Sequence, residues 1–305
     1  MLLDRAPDPG LGYAVTDKER YLSGAWAERE WQQVFERCWL YAMPASVLAE
    51  PRSWATFDIG RESIVVTRTD AGELRAFYNV CQHRGRRLVD APCGRSGGFV
   101  CPYHAWSYAL DGAVRTVFDR EVFPADLELP KRIPPVLVDS WGGLVFVCLD
   151  PDAGPLREYL GVVPDHLACY PLDRFALVDD QTVRWDCNWR VAMDAFHESY
   201  HTLATHPQML KYVADTNVTI DCYGIHSRFH MPWGAPAPRV RHRRRPNETQ
   251  STLFAAYGFD VAQDARNAPA VQAGMRSKGF AGSQLGDLEL GIRHFHAVLD
   301  RYMAG

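Results

Sequence analysis

The 305-residue sequence predicts an α+β fold in which a small β-rich module interrupts a larger mixed domain. Three observations carry this expectation. Helical spacing governs both ends of the chain. Short β-type runs separated by turn signals fill the stretch from Ser53 to about Asp150. After that stretch, helix-like and strand-like segments alternate.

Between residues 17 and about 40, Tyr21, Leu22, Trp26, Trp31, Val34, Phe35 and Cys38 recur near the helical period and predict an amphipathic helix. Ile64-Val65-Val66-Thr67 and Leu74-Arg75-Ala76-Phe77-Tyr78 flank Asp70-Ala71-Gly72, which reads as a hairpin. Asp111-Gly112 is a second turn signal, and Gly143-Leu144-Val145-Phe146-Val147 a buried strand. Residues 188 to about 205 read as a helix, and 218 to 231 as strand-like. In the tail, Leu288, Ile292, Phe295, Leu299 and Met303 form one helical face. The expected division is a helical segment over 1–41, the β module over 42–150 and a second domain over 151–305.

A hydrophobic share of 47% against 23% charged suits a globular chain with a sizeable core. Lys plus Arg is 33 and Asp plus Glu is 37, so 33 − 37 = −4, which offers nucleic acid or anionic lipid no general attraction. No apolar run approaches the roughly 20 residues of a membrane span. The N-terminal residues hold no apolar signal core, so a cytoplasmic location is expected. Disulfides are then a poor default for the eight cysteines. Cys38, Cys93, Cys148, Cys169, Cys187 and Cys222 are expected as core thiols. Cys81 and Cys101 each have a histidine within three residues.

Cys81-Gln82-His83 and Cys101-Pro102-Tyr103-His104 form C-x-H and C-x-x-H pairs with 17 residues between them. Two loops that each offer a thiolate and an imidazole suit a [2Fe–2S] centre with Cys₂ on one iron and His₂ on the other. Neutral imidazoles leave such a cluster less negative and raise its potential. Gly85, Gly94, Gly97, Gly98 and Gly112 are expected where loops pass close to sulfide, and Pro102 stiffens the second loop. Structural zinc accepts the same donors, but usually as C-x-x-C followed by H-x₃₋₅-H.

A second set lies in the predicted helix at 188–205. Glu198 and His201 are three apart and share a helix face. His201 and His206 are five apart, about 140° around an ideal helix, so binding one metal requires the helix to loosen. Pro207 disfavours helical geometry at His206 and supplies that departure. His197 is expected to point away. His226 and His230 read as pocket or core residues, as do Phe229 and Trp233, which can also wall a cation.

The segments Cys81-Gln82-His83-Arg84-Gly85-Arg86-Arg87 and Cys101 through Gly112, the E-x-x-H-x₄-H pattern and the end Leu290-Gly291-Ile292-Arg293-His294-Phe295-His296 together resemble one family. It is that of the Rieske non-heme iron oxygenases, specifically the catalytic α subunits of aromatic ring-hydroxylating dioxygenases. The resemblance extends over nearly the whole chain. It implies a Rieske [2Fe–2S] domain inserted in a helix-grip (SRPBCC-like) catalytic domain, with Cys81, His83, Cys101 and His104 as cluster ligands. It also implies a mononuclear Fe(II) on His201, His206 and an aspartate shortly before a Val-Gln-x-Gly segment. Asp264 precedes Val271-Gln272-Ala273-Gly274 and fits, with Asp260 as the fallback.

Glu198 is implied as a bridge that hydrogen-bonds His201 and the partner subunit's His104 within a threefold ring. Many relatives carry aspartate here; glutamate occurs in relatives that include the carnitine and choline monooxygenases. The assembly implied is a homotrimer, or a trimer of catalytic subunits with a small subunit. Electrons are expected from a separate flavin/iron–sulfur reductase, directly or through a ferredoxin, because the sequence lacks a G-x-G-x-x-G fingerprint after a strand.

One departure from the family is clear. Positions 206 and 264 enclose 57 residues, fewer than relatives use, and the shortening is expected between about 232 and 258. The basic run at 239–247 lies there and reads as a solvated loop. The expected activity is hydroxylation or oxidative demethylation of a small organic substrate, aromatic or quaternary-ammonium-like. The alternative is a Rieske electron-transfer or redox-sensing protein with a degenerate catalytic domain. The presence of Glu198, His201, His206 and Asp264 together argues against it.

Overall fold

The computed structural model describes residues 5–177, 180, 182–213, 215, 217–231 and 252–304, with side chains in the last stretch from 263 onward. It divides into two compact units, residues 31–180 and the residues before 31 together with those after 180. Among the described residues, no helix is long and apolar enough to cross a membrane.

After β1 (Thr16–Asp17), the single helix expected over 17–40 is three pieces: α1 (Glu19–Leu22), α2 (Gly24–Glu30) and one π-helical turn, Trp31–Phe35. Ser23 takes an extended backbone (ψ 125°) and separates the first two.

The unit 31–180 is built on β2 (Leu40–Pro44), β3 (Ser53–Ile59), β4 (Glu62–Arg68), β5 (Leu74–Tyr78), β6 (Cys93–Arg95), β7 (Phe99–Val100), β8 (Ser107–Tyr108), β9 (Val114–Thr116), β10 (Pro135–Trp141) and β11 (Leu144–Cys148). Seven strands form an antiparallel sheet in the order β2-β11-β10-β5-β4-β3-β6, and β7-β8-β9 form a second, three-stranded one. The expected hairpin is β4–β5, with Val65 opposite Phe77 and Val66 opposite Ala76. Successive strand residues face opposite sides, and β4 is apolar on both. Ile64 and Val66 enter a core with Val136, Val145 and Val147. Val65 and Phe77 enter another, which also holds Cys81, Cys101, Trp106 and Tyr108. The two cysteine loops are thus seated on one face of a sheet that is packed on both. Two short helices follow, α3 (Leu156–Tyr159) and α4 (Val163–Leu167).

In the other unit, the helix expected over 188–205 breaks into α5 (Trp189–Phe196) and α6 (Thr202–Thr205). The strand-like stretch 218–231 is a hairpin, β12 (Thr219–Tyr223) and β13 (His226–His230), turning at Gly224 with φ +62°. Next come α7 (Thr252–Met275), β14 (Gly282–Ser283), which pairs with β1, and α8 (Leu290–Ala304). The segment read as shortened lies for the most part outside the described residues, as do the basic run 239–247 and Trp233.

None of the eight cysteines forms a disulfide. Cys38 and Cys148 are buried as expected, but Cys93 and Cys169 are exposed. Cys93 lies on β6, at the edge of the seven-stranded sheet, where no further strand among the described residues covers it.

Candidate metal centres

The two cysteine loops repeat one backbone design. Cys81 N–H donates to the Arg86 carbonyl (2.8 Å) and Gly85 N–H to the Cys81 carbonyl (3.0 Å). Cys101 N–H donates to Trp106 (2.8 Å) and Ala105 N–H to Cys101 (3.0 Å), the same offsets. The fifth residue of each loop is left-handed, Gly85 at φ 74° and Ala105 at φ 56°. Glycine adopts this freely, whereas alanine there costs about 1–2 kcal/mol. The other glycines expected beside sulfide have a different reason where one is visible. A Cβ on Gly98 would lie 2.5 Å from the Tyr108 carbonyl oxygen, so the close approach is to protein.

The loops bring the sequence-predicted cluster residues together in pairs, cysteine with cysteine and histidine with histidine. Cys81 and Cys101 are buried in one core, and the His83 and His104 rings stand 4.5 Å apart. Trp106 stacks on His83 at 5.2 Å and 7° and fixes that ring. His83 Nδ1 is buried without a hydrogen-bond partner, which suits a nitrogen reserved for a metal. Desolvation, then His83 and Arg84, hold the His104 imidazole below its usual pKa, in the neutral form that ligates. Tyr108 was not foreseen. Its hydroxyl accepts from Gln82 N–H (2.9 Å) and lies 3.1 Å from Cys81 Sγ, so its hydrogen is free for the sulfur.

The second centre starts from the N-cap of α5, where the Asn188 side chain accepts from Arg190 N–H. Arg190 is wholly buried and ion-paired with buried Glu30 of α2. Asn188 N–H also donates to Gln272 Oε1 of α7 at 2.7 Å. The helix stops after Phe196 because α8 crosses against it: a Cβ on Gly291 would meet the His197 carbonyl oxygen at 2.1 Å. His197 turns away, bonded to the Met193 carbonyl and stacked on Phe295 at 5.0 Å. Ser199 is pinned to the Asp215 carbonyl (3.0 Å), and the chain re-enters a helix at His201.

Glu198 therefore meets His201 through a turn, not along one helix face. One carboxylate oxygen bonds His201 Nδ1 and the other accepts from His201 N–H at 3.1 Å. His206 Nδ1 bonds Gln263 Oε1 at 2.8 Å. Both rings then turn Nε2 towards Asp264 Oδ1, at 3.7 Å for His201 and 3.0 Å for His206. Each of the three offers one donor atom, and these lie within 4.8 Å of one another. The donor set suits Fe(II), and both histidines are supported on the nitrogen facing away. Asp260 stands one turn earlier on α7, in the part whose side chains are not described. His226 and His230 lie on β13, outside the trio. Sequence reasoning missed Gln263 and Gln272, although the first adjoins Asp264 and the second stands in the Val271–Gly274 segment.

Comparison with known proteins follows the same division. The family model of the Rieske [2Fe-2S] domain matches residues 38–124. That of the ring hydroxylating alpha subunit (catalytic domain) matches 172–257 and 226–305. The chain is 32% identical over 193 residues to the glycine betaine monooxygenase oxygenase subunit of Chromohalobacter salexigens, covering 63% of this chain and 43% of that protein. It is 32% identical over 216 residues to the carnitine monooxygenase oxygenase subunit of Escherichia coli K12, covering 69% and 56%. The chain thus spans about half the length of the curated relatives it matches. In fold it is similar to the quaternary ammonium Rieske monooxygenase CntA in complex with L-carnitine, with TM-score 0.82 and 22% identity over 98% of this chain and 99% of that one.

Proposed function

Because this chain belongs to the Rieske oxygenases with a ring-hydroxylating-type catalytic α subunit, we propose that it is an oxygenase component that inserts oxygen from O₂ into a small organic substrate. The observation that carries the reading is the convergence of His201, His206 and Asp264, each histidine supported from behind. On this reading Cys81, His83, Cys101 and His104 hold the [2Fe–2S] cluster, and His201, His206 and Asp264 hold Fe(II). When bound, the cluster supplies stored electrons and the Fe(II) supplies O₂ activation.

The residues of the chain do the positioning. Trp106 and the paired loop bonds keep His83 and His104 in place. Glu198 orients His201 and reaches the partner subunit's His104 in a head-to-tail trimer, which joins two imidazoles through one carboxylate. Electrons come from a separate NAD(P)H-dependent reductase in the cytoplasm, with or without a ferredoxin. The substrate class we favour is quaternary ammonium, and the reaction monooxygenation. Glu198 and the names of the betaine and carnitine relatives support this. A match to the large oxygenase component of a 2,4-dinitrotoluene dioxygenase system keeps aromatic substrates in the screen.

The test combines metal content with turnover. Anaerobically purified protein should hold about three irons per chain and show a Rieske-type EPR signal. With a surrogate reductase, one of glycine betaine, carnitine or an aromatic panel should drive O₂ uptake and take up label from ¹⁸O₂. About two irons, unchanged by added Fe(II), with no substrate-dependent uptake, would replace this reading with the electron-transfer one.

A further inference from the structure

The structure assigns Gln263 as the positioning residue for His206, a role that rests on reading His206 as an iron ligand. Gln263 immediately precedes Asp264 on α7, so one helix supplies both a donor to the trio and the group behind it. Its Oε1 accepts from His206 Nδ1 at 2.8 Å and from Gln208 Nε2 at 2.7 Å. A carbonyl oxygen can only accept, so the His206 hydrogen resides on Nδ1. Nε2 is left with its lone pair directed at Asp264, 3.0 Å away. Gln208, a second donor on the same oxygen, agrees with this facing of the Gln263 amide. The second donor, Gln208, lies just beyond Pro207, so the turn that frees His206 from helical geometry also brings Gln208 to the support.

The two histidines are consequently held by different chemistry. His201 has a carboxylate behind it, and its backbone N–H is tied to the same group. His206 has a neutral amide from another helix. If α7 shifts, Asp264 and the His206 support move together. Gln263 therefore couples the orientation of one imidazole to the arrival of the carboxylate, and a loss at Gln263 loosens the trio without removing any of its donors.

The experiment uses the full chain with its cluster loaded and the mononuclear iron removed by mild chelation. Fe(II) is added back anaerobically by equilibrium dialysis, and the iron bound beyond the cluster is measured. Gln263→Leu should weaken Fe(II) binding roughly 10- to 100-fold, the usual loss when a metal histidine loses its orienting partner. Gln263→Glu keeps the acceptor oxygen and should restore binding. An unchanged Rieske EPR signal reports that the cluster unit survives, and an unchanged unfolding temperature that the unit holding Gln263 does. If Gln263→Leu does not fold, Gln263→Met, which keeps the length without the acceptor, takes its place. Wild-type Fe(II) affinity in the acceptor-free variant overturns the assignment. His206→Ala separates the two ideas: if it binds the extra iron as tightly as wild type, the iron-site reading itself fails. Loss in His206→Ala with none in Gln263→Leu removes only the positioning role.

Discussion

Cys81 and Cys101 stand 20 positions apart, and each is closed into its loop by the same pair of backbone bonds. His206 and Asp264 stand 58 positions apart and meet only because α7 packs beside α5 and the turn that follows it. The first centre is thus local and sits on a sheet with a core on each face. The second is assembled at long range, from a broken helix and a separate one, and held by side-chain amides, a carboxylate and a buried ion pair. Local construction makes a centre robust and readable. Assembly at long range makes it adjustable, because each support can be altered without touching a donor.

The largest expected effect tests that independence directly. Cys101→Ser should abolish the Rieske EPR signal and lower the iron content to about one per chain, the iron of the trio. Asp264→Ala should do the reverse, keeping the signal and losing the third iron. Loss of both centres in Cys101→Ser would break the comparison, since Cys81 and Cys101 also fill the core they share with Phe77 and Tyr108.

Next in size is Arg190→Met. Arg190 and Glu30 are both buried, and removing one partner of such a pair typically costs about 3–5 kcal/mol by leaving the other charge unpaired. Urea unfolding should show this loss. The double variant Arg190→Met with Glu30→Gln should regain much of it, because no buried charge is left alone. A single variant as stable as wild type would show that the second centre does not lean on this pair.

How far the sequence could be read follows the same contrast. The β4–β5 hairpin, the turn at Asp111-Gly112, the β11 strand and α8 were all visible, because periodicity and turn residues act within a few positions. So were the two Cys/His pairs. The break after Phe196 was only half visible: Pro207 signalled a departure near His206, but the cause of the earlier stop is Gly291, more than 90 positions away. Nothing local marks Gln263 as a hydrogen-bond partner of His206, and Asp264 came from the family's Val-Gln-x-Gly context alone. Tyr108 was missed because an aromatic in a β-run reads as core, which it also is.

A smaller effect sharpens the local side of the comparison. A hydrogen bond to a ligand sulfur stabilises the more negative, reduced cluster, so Tyr108→Phe should make the potential more negative. Film voltammetry measures it. Iron content should not change, since the loops keep their own backbone bonds. An unmoved potential would mean that the Tyr108 hydroxyl serves only the Gln82 backbone.

The smallest effect concerns the start of the N-terminal arm, where Arg5 and Ala6 bond to a single carboxylate of their own unit. Asp221 accepts from Arg5, from Ala6 N–H (3.1 Å) and from Arg228. Burial alone would raise its pKa; the hydrogen bonds from Arg5 and Arg228 outweigh that and hold it below the ordinary carboxylate value. A depressed folded pKa contributes stability that is fully present above the unfolded value, about 3.9, and is lost as pH falls through the folded one. Asp221→Asn should therefore lower the unfolding temperature slightly at pH 7. The gap between wild type and variant should close only below about pH 4. Arg5 is mostly exposed, so solvent screens its share, whereas Arg228 is largely buried. A gap that stays constant down to pH 3 would show that Asp221 acts by its shape and hydrogen bonds, without its charge.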